Sequence, residues 1–160
     1  MFTSKLLSRV LGVLALALFA VSASAQQRPG YGTPVTVSQA KKIAAGVVAE
    51  CQTNKWNVAV AVVDTHGLLL YFERMEDTQT VSSKIAVDKA SAAATYRRPT
   101  RAFLDAINKT GPAIMTLPGV VASPGGVPIM VDGKVIGAVG VSGVTGDQDE
   151  QCAKAGIAAM

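Results

Sequence analysis

The stretch from Gly125 to Gly146, GGVPIMVDGKVIGAVGVSGVTG, constrains the fold of this chain more than any other. Two β-rich runs, Val127 to Val131 and Lys134 to Ser142, flank Asp132-Gly133. That dipeptide readily takes positive φ at both central positions of a type I′ turn, so the runs are expected to pair as an antiparallel hairpin. From Val135 to Val141 no side chain is polar, and neither face of this strand can rest in water. It belongs inside a sheet with helices above and below. Gly137 and Gly140 weaken a strand unless something approaches its backbone closely. A helix presenting Ala86, Ala90, Ala93 and Ala94 is the matching small surface, and a flat ligand against the same strand is the alternative.

The rest of the chain supplies the flanking elements. Ser38 reads as an N-cap, after which Ile43, Val47, Val48 and Cys51 form one face of a helix over about Ser38 to Asn54. Asn57 to Val63 and Leu68 to Phe72 read as a second hairpin around Asp64-Thr65-His66-Gly67. Thr78 to Tyr96 carries Val81, Ile85, Ala86 and Ala90 at helical spacing. Arg97-Arg98-Pro99 ends that helix, because the residue before proline is steered out of the α region, and Thr100 is placed to cap a short helix through about Asn108. Residues 111 to 126, rich in glycine and proline, read as an irregular surface loop. Asp147, with Glu150 three positions on, reads as the N-cap of a last helix running to Met160. Helix, hairpin, helix, short helix, loop, hairpin, helix is the order of an α+β chain in a three-layer α/β/α sandwich.

Residues 1–25 have the three parts of a secretory signal: basic Lys5 and Arg9, an apolar run from Val10 to Val21, and the small-residue site Ala23-Ser24-Ala25. The run is shorter than the ~18 to 20 residues of a spanning helix, which favours cleavage and a periplasmic or secreted protein. Residues 26–34 (QQRPGYGTP) have no hydrophobic period and read as a flexible lead-in, leaving 35–160 as one domain. Loss of Lys5 and Arg9 takes the formal charge from +4 to +2, which is no nucleic-acid footprint. Cys51 and Cys152 are the chain's two cysteines, and an oxidising compartment permits a disulfide between them.

Three segments carry a family resemblance: VAVAVVDTHGLLLYFERME at Val58 to Glu76, SSKIAVDKASAAAT at Ser82 to Thr95, and GGVPIMVDGKVIGAVGVSGVTGDQDEQCAKAG at Gly125 to Gly156. With the first helix they cover Val35 to Met160, and the chain resembles the GlcG/HbpS family, haem-binding and haem-degrading-type domains that also form the C-terminal part of PduO-type proteins. The resemblance implies a profilin-like α/β/α sandwich around a five-stranded antiparallel sheet, a homo-oligomer, and haem, or alternatively a corrinoid, as ligand.

Catalytic templates are sparse. His66 is the single histidine, so a histidine-rich metal site is excluded; there is no G-x-S-x-G elbow for a serine triad and no C-x-x-C-H for covalent haem. As a neutral imidazole, His66 is the candidate axial haem ligand, with an exposed turn residue as the plain alternative. Tyr71, Met75 and Tyr96 are the other candidate donors, with packing roles as their alternative. Arg97, Arg98 and Arg101 form the one dense basic group. Guanidinium forks suit haem propionates, a small organic acid, or Glu73, Glu76 and Asp77 of another subunit; simple complementation of a helix C-terminus is the alternative. The Ser142 to Gly146 loop invites a phosphate reading, which Asp147, Asp149 and Glu150 oppose.

These residues lead to an exported homo-oligomeric haem- or tetrapyrrole-binding protein that binds, buffers or senses its ligand. An accessory protein or enzyme acting on a small organic acid, with Asp64, Glu73 and Glu76 as its acid/base groups, is one alternative. An interaction module for a membrane sensor is the other.

Overall fold

The computed structural model describes residues 27–160; the expected signal at residues 1–25 lies outside the described residues. In order the chain forms α1 (Val37–Thr53), β1 (Ala59–Val63), β2 (Leu69–Arg74), α2 (Ser82–Tyr96), α3 (Arg101–Thr110), a 3-10 turn (Pro112–Thr116), β3 (Gly126–Val131), β4 (Lys134–Ser142) and α4 (Gly146–Ala158). The strands make one antiparallel sheet in the order β2-β1-β4-β3.

The opening hairpin forms as its sequence dictates. Asp132 and Gly133 take φ of 49° and 72°, and the β4 residues Val135 to Ser142 are all buried. Alternation along the neighbouring strand then divides the core in two. Val58, Val60 and Val62 join Ile43 and Val47 of α1 and Cys152 and Ala153 of α4, whereas Ala59, Ala61 and Val63 join Ala86, Ala90, Ala93 and Ala94 of α2. Alanine dominates the second cluster because α2 lies almost on the sheet. A Cβ added to Gly140 would meet the Ala86 carbonyl oxygen at 2.0 Å, so only glycine admits the helix there. At Gly137 the close neighbours are the Val63 carbonyl and Val35, rather than a helix.

The lead-in departs from expectation. β4 runs past the end of β1, whose last partner pair is Val63 with Ala138, and this leaves backbone groups of Val135 and Ile136 in need of partners. The segment from Gly30 to Val35 meets that need: Val135 N donates to Gly30 O and Gly32 N to Val135 O, both at 2.9 Å, and Val35 N donates to Ile136 O at 2.7 Å. A read of residues 26–34 as flexible therefore fails over the described part, which is an ordered arm with a single parallel bridge at Tyr31. The sheet has four strands rather than five, and the arm joins β4 through that bridge and the Val35–Ile136 bond without forming a strand.

Helix caps also move from their expected residues. Thr36 rather than Ser38 caps α1 and Thr145 rather than Asp147 caps α4, each in a reciprocal box with Gln39 or Gln148. Thr100 makes no capping bond; its Oγ1 donates to Ser123 O at 2.7 Å and accepts from Gly126 N at 3.0 Å. Among the described residues no helix is long and apolar enough to cross a membrane.

Cys51 and Cys152 are bonded, tying α1 to α4 inside the larger cluster across a sequence separation of 101. Closing a loop of that size stabilises the folded state by about 4 to 5 kcal/mol in the chain-entropy account, often less in practice. The double variant Cys51→Ala/Cys152→Ala is expected to lose about 3 to 5 kcal/mol in urea unfolding. A reducing agent should lower the wild-type midpoint and leave that of the variant where it is.

Candidate functional site

The turn between β1 and β2 is built by Asp64. Its Oδ1 accepts from the backbone of His66 at 2.8 Å and of Leu68 at 2.9 Å, and Ser91 Oγ of α2 donates to Gly67 O at 2.6 Å. The turn is thereby held against α2, with the His66 side chain 78% exposed. Its Nδ1 lies 3.3 Å from Thr65 Oγ1 and 3.9 Å from Asp64 Oδ2, and neither neighbour engages Nε2. His66 shares a mainly apolar hollow of about 500 Å³ with Tyr31, Gly32, Pro34, Thr65 and Thr95.

Tyr31 forms one wall of that hollow. Its hydroxyl donates to Thr95 O at 3.0 Å and Ala94 O at 3.2 Å, carbonyls in the last turn of α2. The Arg97 guanidinium stacks 5.2 Å from the centre of the Tyr31 ring, and its Nη1 donates to Pro29 O at 2.9 Å. Arg97 itself closes α2 in the left-handed conformation, φ 53° and ψ 44°, where glycine is the usual occupant.

Arg97, Arg98 and the arm residue Arg28 border a second apolar hollow, about 420 Å³, walled by Pro99, Val127, Pro128 and Met130. The Arg98 guanidinium stacks 4.5 Å from the Phe103 ring centre and 5.7 Å from that of Tyr96. Its Nε is buried without a hydrogen-bond partner. Burial, followed by the nearby positive charge of Arg28, pulls the Arg98 guanidinium below its ordinary pKa.

Arg101 parts from the other two arginines. It pairs with Asp147 and Glu150 of α4, which hold its pKa above the ordinary value, Asp147 foremost. Tyr96 is engaged through its hydroxyl, which donates to Pro118 O at 2.7 Å. The Tyr71 hydroxyl donates to Glu73, a bond that raises its pKa, and Met75 packs on the larger core cluster. Glu73, Glu76 and Asp77 line a different hollow, beside Val48 and Gln52 of α1. His66 and Arg97 are thus brought to Tyr31, and Arg98 borders the second hollow with its guanidinium on the rings of Phe103 and Tyr96, while Arg101, Tyr71 and Met75 are held elsewhere by their own partners. Among the described residues no group of three or more His, Cys, Asp or Glu side chains is placed to hold a metal ion.

Reasoning from sequence missed Arg28 and Tyr31, which sit in a segment with no periodicity to read. It also missed Lys89, buried in α2 with its Nζ 2.7 Å from Asp149 Oδ2 and 3.0 Å from Val141 O. Here a signal existed, since Lys89 falls between Ala86 and Ala93 on the apolar stripe of α2.

A family model described as "Haem degrading protein HbpS-like" matches residues 35–158. The chain is 44% identical over 112 residues to Protein GlcG of Escherichia coli strain K12, covering 69% of this chain and 84% of that protein. A double mutant of Streptomyces reticuli HbpS has a similar structure, with a TM-score of 0.74 at 31% identity over 86% of this chain and 96% of that one. A complex of PduOC with haem has a TM-score of 0.74 at 28% identity, covering 80% of this chain and 96% of that one.

The pairing of Arg101 with a buried glutamate predicts a structural role. Arg101→Gln is expected to cost about 1 to 2 kcal/mol in chemical denaturation, since Lys154 still pairs with Glu150 at 2.6 Å. The same variant should leave ligand binding at either hollow unchanged.

Proposed function

The chain belongs to the HbpS-like family, and from that membership we propose that it binds haem or a related tetrapyrrole, as an exported homo-oligomer that buffers or senses the ligand. The observation that carries this reading is the placement of His66. An exposed imidazole with Nδ1 beside a hydroxyl and a carboxylate, in an apolar hollow, has the donor chemistry that haem iron takes from proteins. With Nδ1 turned toward Thr65 and Asp64, Nε2 is the ring nitrogen left open to a ligand. Arg97 and Arg98 are the cations open to propionate carboxylates, while Arg101 is engaged by Asp147 and Glu150. Haem, when bound, supplies a redox-active iron tuned by its axial ligand and surroundings. The chain's part is to orient the imidazole, hold the carboxylates and shield one side with Tyr31.

Relatives support the ligand: the HbpS-like description names haem, and a structure of PduOC is a haem complex. A corrinoid is the alternative tetrapyrrole. Assembly into a homo-oligomer is supported by apolar surface left open after α3, where Met115 is 47% and Leu117 44% exposed, and on β2, where Leu69 is 50% exposed. We take the fold as a profilin-like α/β/α sandwich in which the arm's bridge at Tyr31 stands where a fifth strand would run. Export to the periplasm or beyond is supported by the residue 1–25 pattern and by a disulfide that oxidising compartments preserve.

Haemin titration of the purified protein is expected to give a saturable Soret shift, and His66→Ala to weaken it about tenfold or more. Absence of saturation would sink the haem reading, and an unchanged titration in the variant would move the ligand atom away from His66. Expressed in a Gram-negative host, the protein recovered from the periplasm should have an intact mass beginning at Gln26; retention of residues 1–25 would remove export.

A further inference from the structure

We propose that the hollow between the arm and β3 is a site for small carboxylates with an apolar body, distinct from the position of His66. Arg28, Arg97 and Arg98 converge on it, and Val127, Pro128 and Met130 supply its apolar wall. Among the described residues, none of these three arginines lies within salt-bridge distance of a carboxylate, whereas Arg101, three positions after Arg98, has two such partners. Positive charge gathered at an apolar recess calls for an anion.

Arg98 is the most demanding of the three. Its Nε is closed off from solvent and makes no hydrogen bond, and its guanidinium carbon lies 4.5 Å from the Phe103 ring centre. Burial and the charge of Arg28 both oppose its ionised form. A carboxylate relieves both at once, by neutralising charge and by offering two acceptor oxygens to a planar fork. Arg97 adds a second argument. The chain keeps an arginine in a left-handed backbone position, with φ 53°, where glycine would be unstrained. Its head is fixed by Pro29 O and the Tyr31 ring, so it reaches the hollow in one arrangement.

The wall selects the rest of the ligand. A hollow of about 420 Å³ faced by valine, proline and methionine suits an aromatic ring or a short alkyl chain. Phosphate or a hydroxylated acid would lose hydration there without replacement hydrogen bonds. A haem propionate is also a carboxylate on an apolar body, so the two ligands share this chemistry. The site shares Arg97 and Arg98 with the haem reading but uses neither His66 nor iron, so the two are separated at His66.

Isothermal titration of the purified protein with benzoate and with hexanoate is expected to be saturable, about tenfold or more tighter than with acetate or inorganic phosphate. Arg28→Gln and Arg98→Gln should each weaken benzoate about tenfold or more, as loss of a charged hydrogen bond does. Arg97→Asn should do the same while keeping a residue that tolerates left-handed backbone, and thermal melts of each variant separate binding loss from unfolding. His66→Ala should leave benzoate affinity within about twofold while weakening haemin about tenfold, which keeps a failure of either reading distinguishable. No saturable binding of benzoate or hexanoate overturns the proposal. So does phosphate binding as tightly as benzoate, benzoate binding that survives both Arg28→Gln and Arg97→Asn, or benzoate binding lost in His66→Ala.

Discussion

The arrangement depends on one buried ion pair. Lys89 reaches from α2 to Asp149 of α4, 2.7 Å away, with both side chains almost fully enclosed. Lys89 also donates to Val141 O, and Asp149 accepts from Val144 N. Desolvation pushes the Asp149 carboxyl above its ordinary range against the pull of Lys89 and of the Val144 and Gly143 amides, and enclosing two charges costs about what their attraction returns. The pair's effect is positional. The chain entering β3 threads through the pair's surroundings: a Cβ at Gly125 would meet Val141 O at 2.7 Å and Lys89 Nζ at 2.9 Å, and one at Gly126 would meet Lys89 O at 2.3 Å. The opening glycines of the central hairpin are therefore the residues that let α2, α4 and β3 share one point.

From that point the geometry passes to the arginines. Gly126 exchanges two hydrogen bonds with Thr100, whose backbone N donates to Gly126 O at 2.9 Å and whose side-chain Oγ1 accepts from Gly126 N. Thr100 follows Arg97-Arg98-Pro99 directly, so its anchoring sets where the end of α2 and its guanidiniums stand. The arm completes the arrangement from the other side. Tyr31 bonds to the carbonyls ending α2, and Arg97 stacks on its ring. One segment, held by β4 because β1 stops short, thus supplies a wall to both hollows.

Legibility followed the range of the interactions. The type I′ turn was readable because Asp132-Gly133 meets its own backbone requirement, and the close helix at Gly140 was readable because a bare strand position and an alanine stripe state the same distance twice. The Cys51–Cys152 pair was readable from counting. The caps of α1 and α4 lie two residues before their expected positions, because Thr36 and Thr145 offer the same capping chemistry as Ser38 and Asp147. Arg97, Arg98 and Arg101 looked like one cluster in sequence, yet Arg101 lies on α3 facing two acids of α4, a partner some 46 residues on. The arm looked flexible because nothing within it is periodic; its order comes from unpaired groups at the far end of β4.

By itself, then, the sequence determined the elements, the doubly buried central strand and the spacing of α2 against the sheet, since each follows from backbone preference or apolar period over a few adjacent residues, and its segments between Val58 and Gly156 carried the family resemblance. Only the tertiary structure decided which charges meet. The Lys89–Asp149 pair, the diversion of Arg101 to α4, and the gathering of Arg28, Arg97 and Arg98 beside the arm join residues tens of positions apart. A charge finds its partner through space, and no local pattern encodes that distance.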